Sequence, residues 1–511
     1  MSRVLIGVDA GTSNLKAAAF DLDGEQIEVA TIENPVETPQ SGWQVQNMTT
    51  NWKKTATVIS EVVEDLGDHH EILGIGITGQ GDGCWLIDED GDPVRDAILW
   101  SDGRASEIVD DWVDNGKADV IREATGTDIF PGVTLPIMQW LVENEPETLE
   151  EADTVFYCKD WLKFKLTGER TMDYSDATLP FLDIESREYS DEVQELVDFD
   201  GVDDLLPRLA PPTEIIGEVT GDAAVETGLP EGTPVISGVF DIPANAIGSG
   251  AVRPGESSSI VGTTSLNQTV LTEPPEELLG RGFTLAVDEG FYLRSMASMA
   301  GTPNIDWSYE NIANNREFAD VESEIEELPV GSEGLLYHPY LSSSGERNPF
   351  LKTSARAQFI GLSPEHGQKH MMRAIYEGVA LAMRDSFEHI QVESDRIMIA
   401  GGGSRSDFWC QMFADCLDAP IVLPEGDELG AKGAALLTGV ALGEYDDLEA
   451  AVDRTVRTTD RFEPDPQKVP KYDEWYEFYH DAYRAMFDVW DDRVETLERL
   501  KDKQSTTPAA Q

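Results

Sequence analysis

At 511 residues the chain exceeds what one hydrophobic core usually serves, and 40% hydrophobic residues with 11 Trp supply material for two large domains. Its 37 basic and 98 acidic residues give a formal charge of −61, spread along the whole chain, so no basic stripe exists for nucleic acid or an anionic membrane. Charge this dense opposes compaction in dilute buffer but is tolerable where the Debye length falls to about 3 Å in molar salt, which points to a halophilic cytoplasm.

Residues 4–20, VLIGVDAGTSNLKAAAF, predict a β-hairpin: an apolar run ending in Asp9, a Gly11-Thr12-Ser13 turn, then a second apolar run. Successive N–H groups in such a turn form a nest for an anion, with two hydroxyls, Asn14 and the cation Lys16 beside it. Asp9, at the strand end, suits a hard ion such as Mg²⁺ held through water. A helix is expected near 47–66, then a buried strand, ILGIGITG, at 72–79. Gly74, Gly76 and Gly79 formally spell GxGxxG, but the dinucleotide reading needs a helix opening at the third glycine, and QGDGCWLID predicts a turn and another strand. No GxxxxGK[ST] occurs, so a P-loop is excluded.

Helices are expected at 104–115, 134–144 and 159–167, and a strand at 233–240 that ends in Asp241 and is followed by a small-residue helix. SSSIVGTTSLNQTV (257–270) repeats the first hairpin with a Gly262-Thr263-Thr264 turn, and two such hairpins suggest a duplicated domain gripping a nucleotide. A helix across 366–390, the loop Gly401-Gly402-Gly403-Ser404 and a helix at 429–442 follow. An aromatic amphipathic helix at 471–502 leaves open packing on its own domain or across a homodimer, and 503–511 is expected to be disordered. Cys84, Cys158, Cys410 and Cys416 lack metal or disulfide spacing. The N-terminus enters a strand at once, which argues against a signal peptide, and no apolar run is long enough to span a bilayer, so a cytoplasmic enzyme without membrane partners is expected.

The paired hairpins resemble the sugar kinase, Hsp70 and actin superfamily. The ordered series DAGTSNLK, GITGQGDG, LWSDGR, CKDWLKFKLTGE, DYSDAT, GVFDIPANAIG, VGTTS, SSGERNP and GGGSRSDFW, over roughly residues 3–445, resembles the FGGY carbohydrate kinases, especially their xylulose kinase-like branch. That resemblance implies an α/β fold of two actin-like (ribonuclease H-like) ATPase domains around an active-site cleft. Residues 1–245 would form the sugar-binding domain with the first phosphate hairpin, and 246–470 the ATP-binding domain.

It also implies roles. Asp241 would be the catalytic base that takes the acceptor hydroxyl's proton, against the simpler reading of a helix N-cap. Gly11, Thr12, Ser13, Asn14 and Lys16 would hold the transferring phosphate, and Gly262, Thr263 and Thr264 the others. Gly401, Gly402, Gly403 and Ser404 would hold adenosine, and Asp9 the Mg²⁺ that accompanies ATP. Gln80, Gly81, Asp82, Trp100, Asp102 and Arg104 are the expected substrate contacts together with Asp241. Where xylulose kinases carry Met-His and glycerol kinases Arg-Glu, this chain has Gly81-Asp82, which predicts a roomier pocket with an added hydroxyl acceptor. Lys159, Lys163 and Lys165 cluster in a lysine-poor chain. Neutralisation of nearby acids explains them; binding of a sugar phosphate such as ribose 1-phosphate is the alternative to a pentulose or polyol acceptor. A nucleotide-binding protein without transfer activity would not need Asp241, and a chaperone-like ATPase would need a peptide-binding domain for which too little chain remains after 445.

Overall fold

The structure, a computed structural model, describes residues 2–505. Two mixed sheets carry the chain, and their strand orders show the duplication directly. The first runs Ile215–Glu218, Pro234–Ile236, His70–Gly79, Ser2–Ala10, Asn14–Asp21, Gln26–Glu33. The second runs Thr458–Phe462, Ile421–Pro424, Arg396–Ala400, Glu256–Val261, Ser265–Leu271, Phe291–Ser298, with Phe283–Asp288 added at the far edge. In each, an antiparallel hairpin has its first strand parallel to a strand from much later in the chain. Val4–Val8, Ala17–Phe20, Ile75 and Ile77 are buried, which is why the first hairpin and its parallel neighbour read as continuous apolar runs.

The expected helices stand at Met48–Leu66, Ser106–Asn115, Thr134–Asn144, Cys158–Thr167, Gln368–Ile390 and Leu429–Ala441. The first is capped by Asn47, whose side chain accepts from Thr50 N. The strand expected at 233–240 is shorter, Pro234–Ile236, because Gly238 turns the chain with φ of 70°. The expected C-terminal helix is two, Val469–Ala485 and Phe487–Ser505. Tyr472, Tyr479, Tyr483 and Trp490 bury into the second domain's own core, with Tyr479 bonded to Tyr340 at 2.8 Å. Of the tail expected at 503–511, residues 503–505 continue that last helix and the others lie outside the described residues.

Two helices made of small residues join the halves. Leu429–Ala441 lies on the first sheet although its sequence belongs to the second half, and Asp241–Ser249 packs across it. The contact is backbone to backbone: a Cβ on Gly7 would sit 1.8 Å from Ala431 O, one on Gly433 2.0 Å from Ala244 O, and one on Gly248 1.9 Å from Leu429 O. Any side chain there would force the helices apart, and with them the elements that carry Asp9 and Asp241.

Candidate active site

Strand ends and helix starts deliver the predicted residues. Asp9 is the penultimate residue of the first strand, paired across the hairpin with Lys16. The turn that follows is tied into a polar network. Thr12 Oγ1 donates to Gln80 Oε1 at 3.0 Å and accepts from Trp100 Nε1 at 2.9 Å, while Gln46 Nε2 donates to Thr12 O and Gln80 Nε2 to Gln46 Oε1, both at 2.9 Å. The phosphate turn, the end of the parallel strand and the indole of Trp100 are thereby one unit. Gln46 was invisible to sequence reasoning, since it lies in a two-residue strand with no motif.

Asp241 opens the helix Asp241–Ser249 but its side chain caps no N–H two or three residues on; the N-cap position falls to Phe240. The simpler N-cap reading therefore has no hydrogen bond behind it. Burial first, then the neighbouring Asp9 carboxylate, push Asp241 up to about 8, against the lowering effect of the Ile242 N–H. Asp9 itself is pushed up to about 6 by burial, which Lys16 opposes and Glu428 assists. Asp82 sits in the left-handed region with φ of 53°, half-buried, with a buried Oδ1 lacking any hydrogen-bond partner. Burial and the nearby Asp241 raise it well above the carboxylate range. Three half-buried aspartates thus share one neighbourhood in which Lys16, itself paired with Glu428, is the cation acting on them among the described residues.

Several expectations change. Gly81 does not widen the pocket: a Cβ there would lie 2.6 Å from the Phe240 ring, so the missing side chain makes room for Phe240. Lys16 is not free for phosphate, being ion-paired with Glu428 at 2.8 Å at the start of the crossing helix. Asp102 and Arg104 are buried and turned on each other, in a two-pronged pair with both contacts at 2.9 Å. Arg104 lies between the rings of Trp43 and Trp140, and Asp102 accepts from Gln44 N at 2.6 Å. Their evident work is to hold the loop that presents Trp100, which is 37% exposed above Thr12. The lysine cluster is neutralising: Lys159 and Lys163 are fully buried against Asp160, Asp173 and Asp176, and Lys165 lies apart over Trp161.

The second hairpin ends in an open turn: a Cβ on Gly262 would meet nothing closer than Thr264 O at 3.9 Å. Thr302 N donates to Gly262 O at 2.7 Å, which brings Gly301-Thr302 and the helix Pro303–Asn311 onto the turn. Sequence reasoning missed this segment, although a Gly-Thr-Pro step after a strand is a readable helix start. Gly401 and Gly403 press on Val261, where a Cβ would come within 2.8 and 2.6 Å, so strand packing accounts for these two absent side chains. Gly402 faces Thr302 and is otherwise open.

Duplicated sheets joined by crossed helices, with glycine turns at equivalent strand ends and an acidic cluster at the junction, define a two-domain ATPase fold with a phosphotransfer site. The comparisons with known proteins agree. The N-terminal domain of the FGGY family of carbohydrate kinases matches residues 4–248, and the C-terminal domain matches 258–442. The chain is 32% identical over 505 residues to an erythritol kinase of Brucella abortus (strain 2308), covering 96% of this chain and 97% of that one. It is 30% identical over 495 residues to a xylulose kinase of Bacillus subtilis (strain 168), covering 95% and 98%. Among solved structures, xylulose kinase from Rhodospirillum rubrum superposes with a TM-score of 0.88 at 27% identity, over 96% of this chain and all of that one. Gluconate kinase from Lactobacillus acidophilus reaches 0.91 at 23% identity, over 96% of this chain and 100% of that one, which speaks for the fold alone.

The chain belongs to the FGGY family of carbohydrate kinases. It is a phosphotransferase with an alcohol group as acceptor, taking a sugar and ATP. Among the described residues no helix is long and apolar enough to cross a membrane.

Proposed function

We propose that the enzyme transfers the γ-phosphate of ATP to a primary hydroxyl of a small neutral polyol or pentulose, with Asp241 as the base. The carrying observation is the half-buried, cation-poor group of Asp9, Asp82 and Asp241. The acceptor oxygen attacks phosphorus as its proton passes to an Asp241 oxygen, and the bond to the β-phosphate oxygen breaks, leaving ADP. Residues 1–245 hold the acceptor and 246–470 the nucleotide. The Gly11–Ser13 and Gly262–Thr264 turns supply backbone N–H groups to the phosphates, and Gly401–Ser404 borders the adenosine. The oxygen donor of Asp9, hard and short of positive charge, suits Mg²⁺ through water. When bound, that ion would offset phosphate charge that Lys16, held by Glu428, does not reach in this arrangement. Domain closure would keep water from competing for the phosphate.

Asp82 is the residue we assign to reading an acceptor hydroxyl, through the oxygen that no protein group satisfies. The same acidic neighbourhood disfavours a sugar phosphate, since an anion would enter beside three carboxyl groups. Both motivations for ribose 1-phosphate are also gone: Gly81 adds no room, and the lysines are occupied. Erythritol and xylulose, for which two of the relatives are named, are neutral, while a third relative, of Escherichia coli (strain K12), is named for the carboxylate 3-keto-L-gulonate beside L-xylulose. The test is ADP release with Mg-ATP in molar KCl against erythritol, glycerol, D- and L-xylulose, D- and L-ribulose and ribose 1-phosphate. Strong turnover with one neutral acceptor is expected, and turnover confined to ribose 1-phosphate would sink this reading.

A further inference from the structure

Lys159 and Lys163 lie on the helix Cys158–Thr167 with no exposed side-chain surface. Lys159 Nζ contacts Asp160 at 2.7 Å, Asp173 at 2.5 Å and Asp176 at 2.6 Å. Its three donors meet three carboxylates, so the place a cation would take among those acids is filled by an ammonium. Lys163 Nζ is shared between Asp160 and Ser237 O, each at 2.9 Å. Asp176 Oδ1 keeps no hydrogen-bond partner, but it is buried with no exposed surface. A buried ion cluster is also a weak source of stability, because apolar residues of similar volume commonly do as well. What such a cluster does uniquely is fix directions, and two of its contacts point at the active site.

The first is Lys163 Nζ to Ser237 O. The second runs through Asp173, whose Oδ2 accepts from Ser175 Oγ at 2.5 Å, while Ser175 Oγ accepts from Phe240 N at 3.2 Å. The polarity of this relay is set by charge. Asp173 Oδ2 accepts from both the N–H and the hydroxyl of Ser175 while its Oδ1 faces Lys159 Nζ, so the serine hydroxyl points its proton at the carboxylate and leaves a lone pair for Phe240 N–H. The two contacts bracket residues 237–240, the segment that immediately precedes Asp241. The Phe240 ring also fills the space opposite Gly81, next to Asp82.

We propose that the buried cluster of Lys159, Lys163, Asp160, Asp173 and Asp176 is the positioning scaffold of the active site, holding Asp241 in place through Ser175–Phe240 and Lys163–Ser237. The proposal rests on reading Asp241 as the base. These groups touch no substrate; they set where the Asp241 carboxylate stands, and a misplacement of about 1 Å can cost on the order of 10²-fold in rate.

The test compares Ser175→Ala, Ser175→Thr, Asp241→Asn and the double variant Ser175→Ala/Asp241→Asn. The acceptor is whichever of erythritol and D-xylulose turns over faster, and melting temperatures are recorded in parallel. Expected for Ser175→Ala is a kcat lower by about 10–100-fold with both KM values nearly unchanged, since only placement of the base is altered. Ser175→Thr, which keeps the hydroxyl, should recover most of that loss. In the Asp241→Asn background Ser175→Ala should cost nothing further, because the residue through which it acts is gone. Parental kcat in Ser175→Ala with a lowered melting temperature would overturn the proposal and leave a merely structural cluster. So would an equal fractional loss in both backgrounds. Failure of the base assignment is separately visible, as parental turnover in Asp241→Asn alone.

Discussion

Two sets of three aspartates differ in their supply of cations and in their depth, the first fully buried and the second half-buried. Asp160, Asp173 and Asp176 are buried with two lysines among them. Asp9, Asp82 and Asp241 are gathered at the domain junction with only Lys16 at hand, and Lys16 is paired with Glu428. Burial opposes ionisation in both. In the first set Lys159 and Lys163 overcome it and hold Asp160 below its ordinary value, although Asp176 stays above. In the second nothing overcomes it, and all three carboxyl groups are raised. Carboxylates supplied with their own cations are part of the framework, whereas carboxylates left short of cation await one from a ligand. On the proposed function, the site is marked by the missing partner rather than by residue type.

The largest way to break this contrast is Asp241→Asn. It should lower kcat by about 10²–10⁴-fold, the usual worth of a general base, while calorimetric ATP binding stays near parental. In the parent, kcat/KM should rise as pH increases through about 8, because only the ionised carboxylate accepts a proton; the variant should lack that limb. Stability should move the other way. The folded value of about 8 lies above the ordinary 3.8, so ionisation of Asp241 destabilises the fold, with the penalty growing as pH rises from 3.8 to 8. The variant should then melt higher than the parent above pH 8 and alike below 3.8. A variant less stable at every pH would mean that the carboxylate belongs with the framework set.

Lys159→Met asks the converse. Removing the shared cation leaves buried carboxylates uncompensated, and unfolding in denaturant should show a loss of about 3–5 kcal/mol. An unchanged midpoint would erase the distinction between the two sets. Asp82→Asn should have the smallest effect. It keeps the size of the side chain but changes how it can bond a hydroxyl, so the acceptor KM should rise about tenfold, equivalent to about 1.4 kcal/mol, with the KM for ATP unmoved. Equal changes in both KM values would remove Asp82 from acceptor recognition.

The elements that were legible in advance depend on short stretches of backbone. Both hairpins, the parallel strand at His70–Gly79 and the glycine-flanked helix Leu429–Ala441 announce themselves by apolar runs and turn residues. Asp241 stands out in the sequence through its place in the family's motif series, and it opens the helix Asp241–Ser249. Three partnerships were not legible for a common reason. Lys16 meets Glu428, Gly81 meets Phe240, and Gln46 bridges Thr12 and Gln80, each pair lying far apart in the chain. Side-chain partnership across such separations leaves no local pattern to read.

The sequence by itself determined a duplicated α/β kinase with glycine turns closing both hairpins, because strand periodicity, glycine turns and residue chemistry are local properties. Only the tertiary structure decided which charges are spent on one another and which remain open. That outcome depends on packing: crossed helices in backbone contact at Gly433 and Gly248 bring the strand end of Asp9 to the helix start of Asp241, while the lysines that could have neutralised them are turned inward to a different set of acids.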